Sequence, residues 1–410
     1  MDRTDTLRLP AAPICVAQLF KRAFDGYDLR PLRTQIVART QSDPLDAAGL
    51  MDLCAIEQLL GDQAAGLRYQ REALRLERLY RSSWPTSSRP LHVLAFMAPG
   101  HIGTNTPIEF LLECSDAVLH MFYVVPGDGI RSSLPYHDIA FVAACESDEN
   151  REVLAEIERL IPIWPRPVLN QPHRILNLAR EKMYSMLQTV EGLVMPTTVR
   201  IDRLALERIG CRVMSIGEFV DDVTFPLIAR PIDSHAGHGL VKLDEPSSIA
   251  TYLADRTETG FFISRFVDYC SSDGLFRKYR IIWVDGHPYP CHMAIADDWK
   301  IWYYNAGMTA SAAKRDEEAR FMSTFDTHFA HRHSKALATI AERVGLEYFG
   351  IDCAELRDGR LLVFEGGNEL AVHDMDPPDL YPYKSPHMQK LFAAFRDMLK
   401  SKSVIGSAAS

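Results

Sequence analysis

The 410-residue sequence has no apolar run approaching the ~18 residues that a membrane span needs. Its start, MDRTDTLRLPAAPICVAQLF, carries acidic residues and prolines where a signal peptide wants a basic start and an unbroken apolar stretch. Basic residues are not in excess: 45 Lys plus Arg stand against 54 Asp plus Glu, a formal net charge of −9. A bulk binder of nucleic acid or of an anionic membrane leans the other way, so neither partner is expected and any basic site must be local. The eight cysteines (Cys15, Cys54, Cys114, Cys145, Cys211, Cys270, Cys291 and Cys353) never form a CxxC pair. In a chain of this length they read as reduced thiols, which places the expected location in the cytoplasm. GxxxxGK[ST] and GxSxG are missing, as are internal repeats and low-complexity tracts. What is there is ordinary in bulk, 47% hydrophobic and 24% charged, which excludes a wholly disordered chain. The length suggests two or three domains.

Three textures follow one another along the chain. Residues 45–83 read as helical throughout: Leu50, Leu53, Ile56 and Leu60 make a helical stripe, Gly61-Asp62 breaks it, and a second helix is expected from Ala64 to Tyr80. Ala65, Gly66 and Ala73 at contact spacing make the pair similar to a single tetratricopeptide-type hairpin. A helical extension packed on the next domain fits the same pattern. Residues 82–88 form a turn-rich linker. Then LHVLAFMA (91–98), VLHMFYVV (118–125) and DIAFVAAC (138–145) are apolar runs of strand length separated or followed by helices, the pattern of a parallel α/β layer. From about residue 197 strands carry hairpin turns, notably Asp285-Gly286 and Asp358-Gly359, so this part reads as α+β and largely antiparallel. The last ten residues, 401–410, look like a frayed tail.

The strongest chemical signal is LEYFGIDCAELRDGRLLVFEGGN (346–368), two strands around a turn. If Asp358-Gly359 is a two-residue loop, Asp352 lies opposite Glu365, Ala354 opposite Val363 and Leu356 opposite Leu361, whereas a three-residue loop over 357–359 shifts the register by one. The two carboxylates then face each other with Cα atoms ~4.5–5.5 Å apart. Facing like charges destabilise a hairpin unless something cationic sits between them, and a hard divalent ion such as Mg²⁺ answers that need. In FPLIARPIDSHAGHGLVKL (225–243) a buried strand ends in Arg230, and Ser234-x-x-Gly237-x-Gly239 forms a flexible loop before the next strand. Glycines let backbone N–H groups close over phosphate oxygens, which Arg230 can clamp, although a hairpin turn looks the same. In RILNLAREKMYSMLQTVEGLVMPTTV (174–199), Leu176, Ala179, Met183, Met186 and Val190 form one helical face with Arg180 and Lys182 beside it. The stretch Thr327–His333 carries three histidines without a nearby carboxylate in sequence and reads as a solvated loop.

Together and in this order, these segments resemble the ATP-grasp superfamily, which includes glutathione synthetase-like and D-alanine–D-alanine ligase-like carboxylate–amine ligases, over roughly residues 90–395. The resemblance implies an α/β and α+β chain of ATP-grasp fold, with a short helical N-terminal segment, a pre-ATP-grasp α/β domain and two α+β lobes clasping ATP. Its boundaries would be 1–84 for the helices, 89–170 for the α/β domain and 171–400 for the ATP-grasp domain, with a small lobe over 197–264 and a large one over 265–400. REKMYSML then matches the helix whose lysine, here Lys182, meets the nucleotide phosphates, and Arg230, Ser234, His235, Gly237 and Gly239 match the phosphate strand and its glycine-rich lid. FFISRFVDY (261–269) resembles the hinge where backbone groups of Arg265, Phe266 and Val267 read adenine, with Asp268 or Asp273 standing in for an acidic ribose partner whose usual place holds Lys278. KYRIIWVDGHPYP places Arg280 at the reaction centre, and GIDCAEL…LLVFEGGN gives Asp352 and Glu365 as magnesium ligands.

Besides Lys278 at the ribose-partner position, the pattern departs from the family in two further places. The phosphate strand carries Arg230 where lysine is usual, and the asparagine expected two residues after Glu365 is Asn368, one residue late. Adjacent strand residues face opposite sides, so Asn368 serves as third metal ligand only through a bulge at Gly366-Gly367. The implied chemistry is an ATP- and Mg²⁺-dependent ligase joining a carboxylate to an amine through an acyl phosphate that Arg280 stabilises. In CHMAIADDWKIWYYNAGM (291–308), His292, Lys300 and Asn305 are candidates for the acceptor site. Small-molecule or peptide carboxylate and amine partners follow, and a homo-oligomer is left open. A kinase of the same fold, or a non-catalytic nucleotide-binding scaffold, are the alternatives.

Overall fold

The computed structural model describes residues 12–82, 89–113, 115–129, 134–219, 223–232, 234 and 237–403. Of the expected 82–88 linker, residues 83–88 lie outside the described residues, as do residues 404–410 of the expected tail, while Ser401 and Lys402 end the helix Lys384–Lys402 rather than fray.

Four helices open the described chain: Val16–Phe24, Arg30–Ser42, Ala47–Leu59 and Gln63–Leu76. The last two are started by aspartates, Asp46 accepting from the Gly49 N–H at 2.9 Å and Asp62 from the Ala65 N–H at 2.8 Å. They approach so closely that a Cβ on Gly66 would lie 2.7 Å from the Cys54 carbonyl oxygen. The break at Gly61-Asp62 is where the sequence puts it, but the second helix stops at Leu76 and does not run to Tyr80. Glu77 turns extended and its carboxylate accepts from the N–H groups of Arg78 and Leu79 at 2.9 and 3.0 Å. Leu79–Arg81 then pairs antiparallel with Val118–Tyr123 as an edge strand, burying Leu79 and Tyr80. The helices share a core with the layer that follows: Ala47, Leu50, Met51 and Ala73 pack with Val93, Met97, Leu119 and Met121.

That layer is a five-stranded sheet in the order Leu79–Arg81, Val118–Tyr123, His92–Met97, Ile139–Val142, Val168–Leu169, parallel except for the first strand. Its central strands are buried along nearly their whole length, which is why they read as unbroken apolar runs.

A four-stranded antiparallel sheet follows, ordered Thr198–Asp202, Gly260–Arg265, Leu227–Pro231, Val241–Leu243. Helices Arg203–Gly210 and Ser248–Ala254 cover one face, where Leu227, Ala229, Phe261 and Ile263 are buried. The period of two sends Ile228, Arg230, Phe262 and Ser264 to the other face.

The third sheet is ordered His287–Ala296, Phe276–Val284, Tyr348–Glu355, Leu361–Gly367, Leu193–Val194, antiparallel except for the last pair. Asp285 and Gly286 both take positive φ (49° and 78°) in the two-residue turn that joins Val284 to His287, as Asp-Gly predicts. The histidine-rich stretch is not a solvated loop: Phe329–Arg332 is a helical turn, and His333 is buried with Nε2 2.7 Å from Glu355 Oε1.

The α/β layer is fastened to the third sheet by Asn170. This residue is fully buried with φ 51°, a left-handed conformation that asparagine tolerates better than most residues. Its amide donates to the Tyr348 carbonyl at 2.7 Å and its Oδ1 accepts from the Tyr348 N–H at 2.9 Å, as a neighbouring strand would. Asn170→Ala strands both backbone groups and keeps the strained φ, and we expect a loss of about 3 kcal/mol in denaturant unfolding. A loss below 1 kcal/mol would count against Asn170 as the fastening.

Candidate functional site

The hairpin register explains how two carboxylates come to face each other. Near the turn Glu355 pairs with Leu361, Ala354 with Leu362 and Cys353 with Val363, so the loop is longer than two residues and the Ala354–Val363 and Leu356–Leu361 pairings expected from the sequence do not form. Leu356 closes the turn through its N–H to the Arg360 carbonyl at 2.9 Å. A bulge at Phe364 then takes up the extra residue, and beyond it Asp352 faces Glu365, Ile351 faces Gly366 and Gly350 faces Gly367. The facing pair expected from the sequence is therefore present, restored by the bulge.

The row extends across the sheet. His292 pairs with Arg280, Arg280 with Asp352, and Asp352 with Glu365. Arg280 grips Asp352 with two parallel bonds, Nε at 2.7 Å and Nη2 at 3.0 Å, and Lys278 Nζ adds a third contact at 2.8 Å. Burial alone would push the Asp352 carboxyl up, but Arg280 and Lys278 beside it hold it well below the usual carboxylate range. Glu365 accepts from Arg180, at the first position of helix Arg180–Leu187, and from Arg230 Nη1 at 3.2 Å. Burial opposes ionisation here too, and the two guanidinium groups outweigh it, bringing Glu365 down to about 2. Burial, with Arg180 close by, pulls Arg230 itself down to about 10.

Each carboxylate is thus neutralised by two cations of the chain, and the arrangement does not fit the expected magnesium role. Among the described residues no group of three or more His, Cys, Asp or Glu side chains is placed to hold a metal ion. Asn368 does not join as a third ligand, because the pairing runs regularly through Gly366 and Gly367 and the bulge lies before Glu365. Its side chain is buried against the α/β layer, with Nδ2 donating to the Ala144 carbonyl at 3.1 Å and to Thr106 Oγ1 at 3.2 Å.

Around Glu365 lies a cleft between the second and third sheets, a cavity of about 150 Å³. One part of its wall is apolar, including Ile228, Leu240, Phe262, Phe266, Trp299 and Ile301, and another part is cationic: Arg180, Arg230, Arg265, Lys278 and Lys300. Glu365 is the lone carboxylate among the described residues of the wall. Such a site takes a flat apolar ring with a polyanionic tail.

Of the residues singled out from sequence, Arg230, Arg265, Phe266, Val267, Glu365 and Lys300 meet on this wall. Lys300, expected at an acceptor site, instead latches the glycine loop, its Nζ donating to the Leu240 carbonyl at 2.8 Å. Ser234 orders the same loop: its hydroxyl donates to the Pro231 carbonyl at 2.8 Å and accepts from Arg230 Nε at 3.2 Å. Gly237 and Gly239 take φ of 71° and 67°, and a Cβ on Gly239 would lie 2.6 Å from Pro231 Cδ. His235 lies outside the described residues. The Phe266 N–H is already committed to the Pro226 carbonyl at 3.0 Å, so it is not a free donor for a base.

Four expectations are corrected. Lys182 is exposed and off the cleft wall, because it lies two residues round the helix from Arg180, which lines it. Asp268 is exposed and caps a turn, accepting from the Cys270 N–H at 2.9 Å, and Asp273 pairs with Arg277 at 2.7 Å, so neither lines the cleft. Asn305 is exposed and closes its own helical turn, accepting from the Trp302 N–H at 2.9 Å. His292 ends the ion row, its ring 4.8 Å from that of Tyr303, where burial and the Arg280 charge hold it well below the usual histidine value and keep it neutral.

Sequence reasoning missed Arg180 and Lys278 as site residues, and also Glu369. Burial, reinforced by the Glu365 and Glu146 charges, pushes the Glu369 carboxyl up to about 7. The run Glu365-Gly366-Gly367-Asn368-Glu369 held the signal, but strand alternation stops being a guide once the strand ends at Gly367.

No protein-family model matches the chain, and no curated protein matches it at a significant level. Among solved structures, it is similar to a RimK-domain ATP-grasp protein from Sphaerobacter thermophilus, at 15% identity and a TM-score of 0.42 over 75% of this chain and 99% of that one. It is also similar to the VanG D-Ala:D-Ser ligase from Enterococcus faecalis, at 11% identity and a TM-score of 0.45 over 76% and 100% of the two chains. The D-alanine–D-alanine ligase from Bacillus anthracis stands at 14% identity and a TM-score of 0.45, over 78% and 100%. Likeness of this degree leaves the site to be argued from its own geometry.

With both carboxylates already neutralised, millimolar Mg²⁺ added without nucleotide should leave the thermal unfolding midpoint unchanged. A saturable upward shift, lost in Glu365→Gln, would show that the hairpin holds a metal by itself.

Proposed function

We propose that the chain is an ATP-dependent carboxylate–amine ligase that activates its acid as an acyl phosphate. The observation that carries this reading is the cleft: an apolar slot whose floor gathers Arg180, Arg230 and Lys278 around Glu365 and Asp352. Adenine would lie against Ile228, Leu240 and Phe266, with the phosphates reaching Arg180 and Arg230. These two cations are held on Glu365, so they are oriented before an anion arrives and need only exchange one anionic partner for another. Arg280 and Lys278, fixed on Asp352, present positive charge beside the same floor, where the acid's carboxylate would meet the terminal phosphate.

In the first step a carboxylate oxygen attacks the terminal phosphorus and the bond from that phosphorus to the ADP oxygen breaks. In the second the nitrogen of the unprotonated amine attacks the acyl carbon, the bond from carbon to the phosphate oxygen breaks, and the departing phosphate takes the proton that the nitrogen loses. No side chain forms a covalent intermediate, in keeping with the missing GxSxG elbow. The chain's work in both steps is positioning and charge neutralisation.

The decisive assay supplies ATP with magnesium to pooled carboxylic acids and amines and reads ADP release together with product masses. A product equal to acid plus amine minus water establishes the ligase. ATP turnover giving a phosphorylated product with no amide would identify a kinase, and ATP binding with no turnover a scaffold. The geometry also separates two neighbouring cations: Arg180→Ala should weaken ATP binding by about tenfold or more, as expected for loss of a charge-assisted contact. Lys182→Ala should leave the affinity within about twofold, because exposed and unpaired charges contribute little. Calorimetric titration of both variants checks this, and the reverse ranking would return the phosphate contact to Lys182.

A further inference from the structure

A second cavity, larger than the nucleotide cleft, lies beyond the hairpin end and differs from the cleft in charge. It measures about 470 Å³ and is enclosed by three parts of the chain: the N-terminal helices, the α/β layer and the segment after Gly367. Phe20 and Phe24 come from helix Val16–Phe24, Met97 and Met121 from the parallel sheet, and Val372 and Met375 from the C-terminal segment. Among its described lining residues there is no lysine or arginine, whereas the cleft has five.

Most polar groups of this wall already have partners. Glu109 accepts from Ser82 Oγ and from the Val16 N–H at 3.2 Å. Gln70 exchanges two bonds with Gly100, at 2.8 and 3.1 Å, and Asn105 does the same with Ala98 at 2.8 and 2.9 Å. Glu369 differs: its Oε2 is sealed from solvent and has no hydrogen-bond partner among the described residues. A buried carboxyl oxygen without a donor is costly to keep, and a water or a ligand group in the cavity that donates to it removes that cost. The cavity also reaches the ion row, since Ala371, on its wall, accepts from Arg280 Nη1 at 3.0 Å.

We propose that this cavity binds the amine substrate, its ammonium on Glu369 and its alkyl or aryl body against the apolar wall that the N-terminal helices complete. The inference rests on the ligase reading for its role and on the cavity alone for the chemistry of the ligand. A wall whose described residues include no lysine or arginine disfavours a carboxylate, whereas the cation-rich cleft favours one. The helix Val16–Phe24 is then a specificity element.

The test is calorimetric titration of the full chain with hexylamine, hexanol, hexanoate and ethylamine, and separately with ATP. Hexylamine should bind at least about tenfold tighter than hexanol, since only the amine offers a charged donor to Glu369. It should exceed ethylamine by about two orders of magnitude, from the additional buried methylenes. Glu369→Gln should bring hexylamine down to the level of hexanol while hexanol binding, unchanged, reports an intact cavity. Ala23→Trp, which fills the cavity from the helix, should abolish binding of both and leave ATP binding as it was. Hexanoate binding as tightly as hexylamine would overturn the inference, as would hexylamine binding that survives both substitutions. No binding of any six-carbon probe by a chain that binds ATP overturns it too, and leaves the ligase reading standing. Hexylamine binding as expected, with no ATP binding, supports the cavity assignment and removes the ligase reading.

Discussion

Two carboxylates brought face to face on adjacent strands are the constraint on which the site depends. Asp352 and Glu365 repel each other at the end of an apolar hairpin, and the fold answers with four cations from different parts of the chain. Arg280 and Lys278 come from the adjoining strand, Arg180 from a helix start and Arg230 from the other lobe. Removing either carboxylate from this set leaves two cations without their anion, a loss of about 3–5 kcal/mol. Through Glu365 the start of the helix Arg180–Leu187 and the small sheet are both tied to the hairpin.

The same contacts define how the lobes can move. Arg230 and Glu365 meet across the cleft, as do Lys300 and the Leu240 carbonyl. Arg200, on the outer strand of the small sheet, reaches Asp148 of the α/β layer and Glu181 of the helix. Opening the cleft means exchanging these polar contacts, each partly exposed, while the apolar cores of the two lobes stay intact. An anion arriving at Arg180 and Arg230 would compete with Glu365 for them, so on the proposed reading nucleotide binding and the spacing of the two sheets would be coupled by one carboxylate.

How much of this was legible in the sequence follows from the range of each signal. The parallel strands were readable because a strand buried on both faces leaves an unbroken apolar run, and the Asp285-Gly286 turn because two positive φ values demand that pair. The facing of Asp352 and Glu365 was legible although the loop length was not, since the extra loop residue is cancelled by the bulge at Phe364, and a bulge has no sharp sequence mark. Arg180 and Lys182 are indistinguishable in composition, and only the helix start at Arg180 decides which reaches the cleft. Leu79 and Tyr80 continue a helical pattern locally and join a sheet because the Val118–Tyr123 edge offers them pairing, a long-range effect that local pattern cannot contain.

The hairpin end separates two electrical environments within a chain of net charge −9. On one side five cations line a small cleft; on the other a larger cavity has none among its described residues and an unpartnered carboxyl oxygen. A reaction that joins an anion to an amine needs its two partners kept apart until one is activated, because a carboxylate and an ammonium otherwise form an inert ion pair. On the ligase reading proposed above, the cation-rich cleft would draw the anion and the cavity without lysine or arginine would draw the amine, and the row from His292 to Glu365 is where they would meet. Arg280 touches both sides, holding Asp352 of the row and the Ala371 carbonyl of the cavity wall, so displacement of either would shift the other.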